Sequence, residues 1–357
     1  MTEQMKLKDS TVYKQDIKSI VNWNPAWWNG IAGYTVLVTG ATGLIGSLIV
    51  STLLEANKEY DLGLRIHCIA RNGQLFREMF GEDHDDLILI ETDIMSAGLP
   101  TEQIDLLFHC ASITSSEAFV QTPVEVLNTN ISGTKRMLDL AREKETKRFI
   151  YLSTMEVYGT PQDDTGLTED RMLEVRSDAV RSCYPISKIA CENLCRAYAS
   201  EYGVPVNVFR LTQTFGAGVR MTDNRLFAYL AKCVLNGQDI VLKTKGETKR
   251  NYLYTTDAVK AVYTVIGSEA TVGETYNIAN EDTYCSVYEM ARLVAELGNI
   301  SVEANLGGDT GMYAPVLHMN LRTDKIKALG WSCEIGLKEM FERLTAFFRE
   351  QMMKEDQ

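Results

Sequence analysis

The chain has 357 residues, of which 45% are hydrophobic and 24% charged, and it carries a formal net charge of −12. This acidity, with no run rich in Lys or Arg, argues against nucleic acid or an anionic membrane surface as the main partner. No apolar stretch approaches the length of a membrane span, and the N-terminus lacks the apolar segment of a secretory signal. We therefore expect a cytoplasmic protein, long enough to form one large α/β unit or two domains.

The cysteines give no sign of a metal site. The chain has eight of them but no Cys-x-x-Cys pair. Cys191 and Cys195 stand one helical turn apart, yet none of the four histidines lies near them in the sequence. We therefore expect no bound metal and predict buried, reduced thiols.

Residues 1–33 form an N-terminal arm ahead of the first clear strand. Residues 16–21 have the pattern of a short helix, and Trp23, Trp27 and Trp28 give the arm an apolar anchor. Because clustered tryptophans seldom stay in water, we expect the arm to dock on the body of the protein or on a partner subunit. A packed structural arm is the interpretation we favour.

From residue 34 onward, apolar runs typical of strands alternate with helical patterns. This alternation predicts an α/β fold built on a doubly wound parallel sheet with right-handed crossovers. The predicted strands cover residues 34–39, 65–70, 87–92, 105–110, 148–153 and 205–210, and the predicted helices cover about 44–57, 117–143 and 185–202.

Beyond residue 215 the pattern loosens. Helical patterns remain near residues 224–236, 286–298 and 336–352, separated by shorter elements and polar loops. We interpret residues 34–215 as the larger domain and residues 216–357 mainly as a smaller cap with C-terminal helices. Some segments of the C-terminal part are expected to return to the larger domain.

A glycine-rich turn follows the first predicted strand. Gly40, Gly43 and Gly46 lead from the apolar run at residues 35–39 into a helical pattern. Glycines at this spacing make a tight turn, let the backbone approach a pyrophosphate and pack the helix closely on the strand. The turn therefore predicts a dinucleotide site in which N–H groups at the helix start bind phosphates.

Tyr184 and Lys188 form a second informative pair. Residues four apart share one face of a helix, so the Lys188 ammonium is expected beside the Tyr184 phenol. A neighbouring positive charge favours the phenolate, and we expect it to lower the pKa of Tyr184 from its usual value of about 10. The pair thus indicates a proton-transfer site.

Further stretches extend this pattern and resemble a known family. They are Thr92-Asp93-Ile94, Phe-His-Cys-Ala-Ser at 108–112, Asn-Ile-Ser-Gly-Thr at 130–134 and Ser-Thr-Met-Glu-Val-Tyr-Gly at 153–159. With the glycine turn and the Tyr-x-x-x-Lys pair, they resemble the extended short-chain dehydrogenases/reductases of the NAD-dependent epimerase/dehydratase type, which modify nucleotide sugars. The resemblance spans about residues 34–345.

The resemblance implies a Rossmann-type NAD(P)-binding domain with a smaller α/β substrate-binding cap. It also implies a homodimer in which the helices at 117–143 and 185–202 pair as a four-helix bundle. The cofactor-binding positions that it implies are Gly40, Thr42, Gly43, Leu44, Ile45, Gly46, Arg71, Asn72, Asp93, Ile94, Ala111, Ser112, Asn130, Ser153, Tyr184 and Lys188.

The same resemblance assigns catalysis to Thr154, Glu156, Tyr184 and Lys188. Tyr184 would accept the proton of the sugar C4 hydroxyl as the hydride leaves, and Thr154 would hydrogen-bond the same oxygen. Lys188 would hold the nicotinamide ribose and keep the phenolate accessible. The implied activity is the remodelling of a nucleotide sugar through a transient 4-keto intermediate.

The residues after Thr154 bear on the reaction type. Family 4,6-dehydratases have Asp-Glu there, UDP-glucuronate decarboxylases have Ser-Glu, and 4-epimerases usually lack the Glu, whereas this chain has Met155 and Glu156. Because a thioether cannot protonate a leaving hydroxide, Met155 disfavours dehydration. Glu156 favours a reaction that continues past the oxidation of C4 and involves the neighbouring carbon C5. We expect decarboxylation of UDP-glucuronate as the leading hypothesis, with epimerisation and dehydration as alternatives. A non-catalytic NAD(P)-binding sensor or scaffold is the alternative of another class.

The implied substrate-binding residues are Thr114, Thr154, Gln213, Arg225 and Arg250. The two arginines would clamp phosphate or carboxylate through their fixed donor forks. Gln213 stands where the family usually has an Asn that contacts the sugar diphosphate, so the nucleotide base and the sugar stay open.

The end of the second predicted strand bears on the choice between NAD and NADP. NAD-specific members have an Asp there for the ribose hydroxyls, but this chain has Arg71 followed by Asn72. An arginine favours a 2′-phosphate, so residue chemistry favours NADP. The decarboxylase resemblance favours NAD.

Overall fold

The computed structural model of the protein describes residues 7–81, 84–96, 98–171, 174–304 and 316–355. The helices are α1 (Thr11–Val21), α2 (Pro25–Trp28), α3 (Leu44–Tyr60), α4 (Gly73–Phe80), α5 (Ala118–Gln121), α6 (Pro123–Glu143), α7 (Cys183–Tyr202), α8 (Leu226–Asn236), α9 (Thr255–Ile266), α10 (Val287–Gly298), α11 (Asp324–Lys327) and α12 (Leu337–Glu355). The strands are β1 (Thr35–Thr39), β2 (Arg65–Ala70), β3 (Leu87–Glu91), β4 (Leu106–His109), β5 (Arg148–Thr154), β6 (Val206–Leu211), β7 (Gln213–Phe215), β8 (Ile240–Leu242), β9 (Lys249–Tyr254), β10 (Thr275–Ile278), β11 (Asn280–Ser286), β12 (Val302–Ala304) and β13 (His318–Met319). Two 3₁₀ turns, Met155–Tyr158 and Val180–Ser182, stand close to the site described below.

A seven-stranded sheet forms the centre of the larger domain. Its strand order is β10-β6-β5-β4-β1-β2-β3, and all neighbouring strands are parallel. Strands β4 and β5 are buried along their whole length, as expected when helices cover both faces of a parallel sheet. The predicted doubly wound α/β fold is confirmed.

Side chains that alternate along β1 divide the core between the two faces of the sheet. Val36 and Val38 belong to one apolar cluster, which also contains Leu48 of α3. Leu37 belongs to another, which contains Leu138 of α6. This alternation is the period of two expected for a strand.

The C-terminal half adds smaller sheets and also returns to the large one. Strand β9 pairs with β7, β11 and β13, and β8 pairs with β12. Strand β10 instead runs parallel to β6 at one end of the main sheet. The division of the chain near residue 215 stays a prediction.

Predicted bounds agree closely for the six strands, but one predicted helix is wrong. The segment 117–143 forms two helices, because Pro123 begins a new one after Thr122. Proline lacks an N–H and disfavours a helical conformation in the residue before it, and Thr122 accordingly has φ −134° and ψ 53°. Helices α4 and α9 were not predicted.

The N-terminal arm docks on the body, as predicted. Helix α1 starts earlier than expected because the Ser10 hydroxyl caps it, accepting a hydrogen bond from the Tyr13 N–H at 3.1 Å. Trp28 is buried, and the Trp27 ring lies 4.6 Å from the Tyr263 ring, between centroids.

Polar contacts join this arm to the last helix of the chain. The buried Asp16 of α1 accepts hydrogen bonds from Arg343 Nη1 of α12 at 2.8 Å and from the Tyr254 hydroxyl at 2.6 Å. The Ser10 hydroxyl donates to Glu350 Oε2 of α12 at 2.6 Å. In the described part of the chain, no helix is long and apolar enough to cross a membrane.

Candidate active site

A two-lobed cleft opens where β1, β4 and β5 end. The lobe of about 310 Å³, called here the reaction lobe, is lined by Thr154, Glu156, Tyr184 and Lys188 together with the glycine turn. The lobe of about 220 Å³, called the adenosine lobe, lies beyond the turn along the ends of β2 and β3. Parallel strands bring the sequence-predicted residues together, because their carboxyl ends share one edge of the sheet.

The glycine turn has the geometry of a phosphate cradle. Gly40 has φ +67°, and a Cβ there would lie 2.7 Å from the Ala111 nitrogen. A Cβ on Gly46 would collide with the carbonyl oxygen of Gly40. Gly43 caps α3 without any side-chain hydrogen bond, so the first amides of this helix are available to an anion. These features fit a dinucleotide pyrophosphate.

The adenosine lobe is lined by Thr42, Arg71, Asp93, Ile94 and Ala111, all predicted to contact the cofactor. Arg220, which sequence reasoning missed, also lines it, and its Nη2 lies 3.5 Å from the Thr42 carbonyl oxygen.

Two predicted cofactor residues stand back from the cleft wall. Asn72 caps α4, where its Oδ1 accepts a hydrogen bond from the Leu75 N–H at 2.9 Å. Asn130 is buried beneath Ser112, whose hydroxyl donates to its Oδ1 at 3.0 Å, and its Nδ2 donates to the Ser187 hydroxyl at 2.8 Å. Asn130 therefore joins the cleft wall to α7.

The Tyr184 phenol is buried beside Thr154 and stacks on Phe119, with ring centroids 4.4 Å apart and an angle of 12° between the planes. Burial raises the pKa of Tyr184, and the Glu156 carboxylate adds to the rise, whereas a hydrogen bond with Thr154 and the charge of Arg225 oppose it. The pKa lowering that we expected from sequence is therefore wrong for this arrangement.

Lys188 does not offset this rise. Its Nζ donates to the Leu152 carbonyl oxygen at 2.8 Å and stands 5.8 Å from the centroid of the Tyr184 ring. Burial lowers the pKa of Lys188 to about 8, because an ammonium loses hydration inside the protein.

Met155 and Glu156 occupy the 3₁₀ turn that follows β5. The Met155 sulfur accepts a hydrogen bond from the Thr212 hydroxyl at 3.4 Å, and its side chain lines the reaction lobe. Burial raises the pKa of Glu156, while Arg181 and Arg250 lower it. The Glu156 carboxyl group shares the reaction lobe with Tyr184 and lies close enough to raise the pKa of its phenol.

Ser153, at the end of β5, holds the start of this turn through a buried hydrogen bond. Its hydroxyl donates to Glu192 Oε1 at 2.6 Å, and Arg210 Nη2 lies 2.7 Å from Glu192 Oε2. All three side chains are buried. This ion pair ties the end of β5 to α7 and β6, and nothing in the sequence pattern pointed to it.

Some of the predicted substrate-binding residues line the reaction lobe, and one lies outside its lining. Thr114, Gln213 and Arg225 line it, and Arg225 is paired with Asp223 at 2.6 Å. Arg250 lies outside the lining but close enough to lower the pKa of Glu156. Its Nε is buried and has no hydrogen-bond partner within the described residues.

Within the described ranges, no group of three or more His, Cys, Asp or Glu side chains is arranged to hold a metal ion. The cysteines are free, and Cys191 and Cys195 are buried against the same core.

The fold and the cleft define a dinucleotide-binding protein of the Rossmann class. The model of the NAD-dependent epimerase/dehydratase family matches residues 36–279, so the chain belongs to that family. This confirms the resemblance found in the sequence.

Curated relatives agree with this placement. UDP-glucuronic acid decarboxylase 1 of Xenopus tropicalis is 28% identical over 321 residues, which cover 89% of this chain and 72% of that protein. UDP-glucuronic acid decarboxylase 5 of Arabidopsis thaliana is 27% identical over 317 residues, covering 88% of this chain and 89% of that protein.

Solved structures share the fold. UDP-glucose 4-epimerase of Thermotoga maritima superposes with a TM-score of 0.74 at 22% identity, covering 89% of this chain and 99% of that one. dTDP-glucose 4,6-dehydratase of Streptomyces venezuelae, with NAD bound, gives 0.74 at 24% identity, covering 89% of this chain and 98% of that one.

Proposed function

We propose that this protein is an NAD(P)-dependent nucleotide-sugar enzyme that decarboxylates UDP-glucuronate. One observation carries the proposal: Glu156 shares the reaction lobe with Tyr184, while Met155 fills the place of a dehydratase acid. The UDP-glucuronic acid decarboxylases among its relatives support the same reaction.

The residues of the reaction lobe divide the work. Tyr184 would accept the C4 hydroxyl proton as its phenolate, a form that the positive charge of an oxidised nicotinamide would favour. Thr154 would hydrogen-bond the same oxygen, and Lys188 would hold the nicotinamide ribose. Bound NAD(P) would supply the hydride acceptor for C4 and the hydride donor that restores it. The amides at the start of α3 bind the pyrophosphate.

Once C4 is oxidised, decarboxylation requires few further groups from the protein. With C4 a ketone, the C6 carboxylate is β to the carbonyl, so the C5–C6 bond breaks with its electrons flowing toward the C4 oxygen. CO₂ departs without protonation, and C5 then takes a proton from a water that Glu156 would position nearby. Arg225 and Arg250 bind the anionic groups of the substrate.

The decisive experiment incubates the purified protein with UDP-, dTDP-, GDP- and CDP-sugars and analyses the products by mass spectrometry. We expect CO₂ release from UDP-glucuronate with no net cofactor reduction, suppressed in Glu156→Gln. A 4-keto-6-deoxy product from a hexose would instead indicate a dehydratase, and inversion at C4 without CO₂ an epimerase. Cofactor binding without any turnover would identify a sensor or scaffold.

We also propose a cytoplasmic homodimer in which α6 and α7 pair with the same helices of a second copy. Exposed apolar side chains on these helices, Val124 at 69% and Ile189 at 40%, support that assembly. Sedimentation at micromolar concentration is expected to give a dimer that Val124→Glu weakens, and a monomeric wild type would contradict it.

A further inference from the structure

Arg181 stands at the rim of the reaction lobe, in the 3₁₀ turn just before α7. Its Nη1 lies 3.9 Å from Glu156 Oε2, and its Cζ lies 5.8 Å from the centroid of the Phe119 ring. The Arg181 side chain is 47% exposed and that of Glu156 is 31% exposed, so the pair lies at the mouth of the lobe with access to solvent. No function was predicted for Arg181 from the sequence.

Phe119 links this arginine to the proton acceptor. The ring is buried, lines the reaction lobe and stacks on Tyr184, and the Cys183 thiol donates to its carbonyl oxygen at 3.4 Å. Phe119 therefore stacks on the Tyr184 ring and also lies near the Arg181 guanidinium.

The charges around Glu156 come from separate elements. Arg181 of the 3₁₀ turn and Arg250 of β9 both favour its charged form, and burial opposes it. Tyr184 and Cys183 of α7 are the uncharged titratable groups facing it. Arg225 belongs to a different pair, since it is held by Asp223.

We propose that Arg181 is a positioning residue that holds the Glu156 carboxylate beside Tyr184 while the sugar nucleotide is bound. The inference rests on the proposed function, because that function gives Arg250 to the anionic substrate. A bound anion draws on the charge of Arg250 and repels Glu156, which leaves Arg181 as the counter-ion of Glu156.

The kinetic test compares Arg181→Gln with Arg181→Lys. Losing a half-exposed positive charge near a carboxylate is expected to move the acidic limb of the kcat profile up by roughly one pH unit. KM for UDP-glucuronate should stay within about two-fold, and Arg181→Lys should restore most of the profile. Arg176→Gln is the matched control, because Arg176 is exposed and paired with Asp178. A raised KM with an unchanged pH profile would overturn the proposal, since Arg181 would then bind substrate directly.

A measurement that needs no turnover separates this inference from the reaction itself. The Glu156 carboxyl resonance, labelled with ¹³C and assigned by its loss in Glu156→Gln, is titrated in the substrate-free protein. We expect a higher pKa for Glu156 in Arg181→Gln than in the wild type. Identical titrations would overturn the role of Arg181 even if CO₂ is released. A shifted titration without CO₂ release would remove the decarboxylase function and leave the pairing of Arg181 with Glu156 intact.

Discussion

The two lobes of the cleft are built in opposite ways. In the reaction lobe Thr154, Tyr184 and Lys188 are buried, and each is fixed by neighbours inside the core. In the adenosine lobe the arginines Arg71 and Arg220 are exposed. The difference suggests that the chemistry is fixed by packing, while cofactor preference depends on surface side chains that can change with little effect on the fold.

The strongest test of the buried lobe removes one oxygen. Tyr184→Phe deletes the proton acceptor and leaves the stacking on Phe119 almost unchanged, so turnover should fall by at least ~100-fold. Circular dichroism and the unfolding midpoint should stay close to those of the wild type. Tyr202→Phe, near the exposed end of the same helix, is the control. A Tyr184→Phe enzyme with near wild-type rate would take this residue out of the mechanism.

Cofactor choice tests the exposed lobe. If Arg71 contacts a 2′-phosphate, NADP(H) should bind more tightly than NAD(H), and Arg71→Asp should reverse the order. The charge-assisted contact is worth roughly 1.5–3 kcal/mol. Calorimetry with both cofactors measures it, and Arg65→Asp on the exposed start of β2 is a charge-matched control. A wild-type preference for NAD would mean that Arg71 does not serve the ribose.

A buried histidine at the end of β4 predicts how stability depends on pH. His109 is buried, with Nδ1 2.8 Å from the Thr39 hydroxyl and Nε2 3.0 Å from the Thr134 hydroxyl. Burial lowers the pKa of His109 from 6.5 to about 3. Between these values the unfolded chain binds a proton that the folded protein excludes, so the free energy of unfolding falls as pH drops below 6.5, with a slope of at most about 1.4 kcal/mol per pH unit.

Urea unfolding between pH 7 and 4 measures this effect. His109→Gln should lose that part of the slope, because an amide does not titrate. Equal slopes for the wild type and His109→Gln would show that folding does not lower the pKa of His109.

Residues inside continuous motifs were predictable, and residues that meet only in the folded chain were not. Gly40 follows β1 and Thr154 ends β5, two strands whose apolar runs are plain in the sequence, so parallel pairing brings both to one edge. Tyr184 belongs to α7 and was predicted from its spacing to Lys188. Arg181 and Phe119 reach the site through a loop and a helix that Pro123 separates from α6, and no local pattern marks such contacts. The pKa of Tyr184 also escaped prediction, because spacing places Lys188 nearby but does not reveal that the phenol is buried next to the Glu156 carboxylate.

The pairing of α1 with α12 sets an order on how the molecule can be completed during synthesis. Asp16 is synthesised first, and its partner Arg343 follows 327 residues later. Until then Asp16 has no arginine to compensate its burial, and a buried carboxylate without a counter-ion is costly. The N-terminal arm is therefore expected to dock late, after the parallel sheet has formed, and to complete the packing of the core.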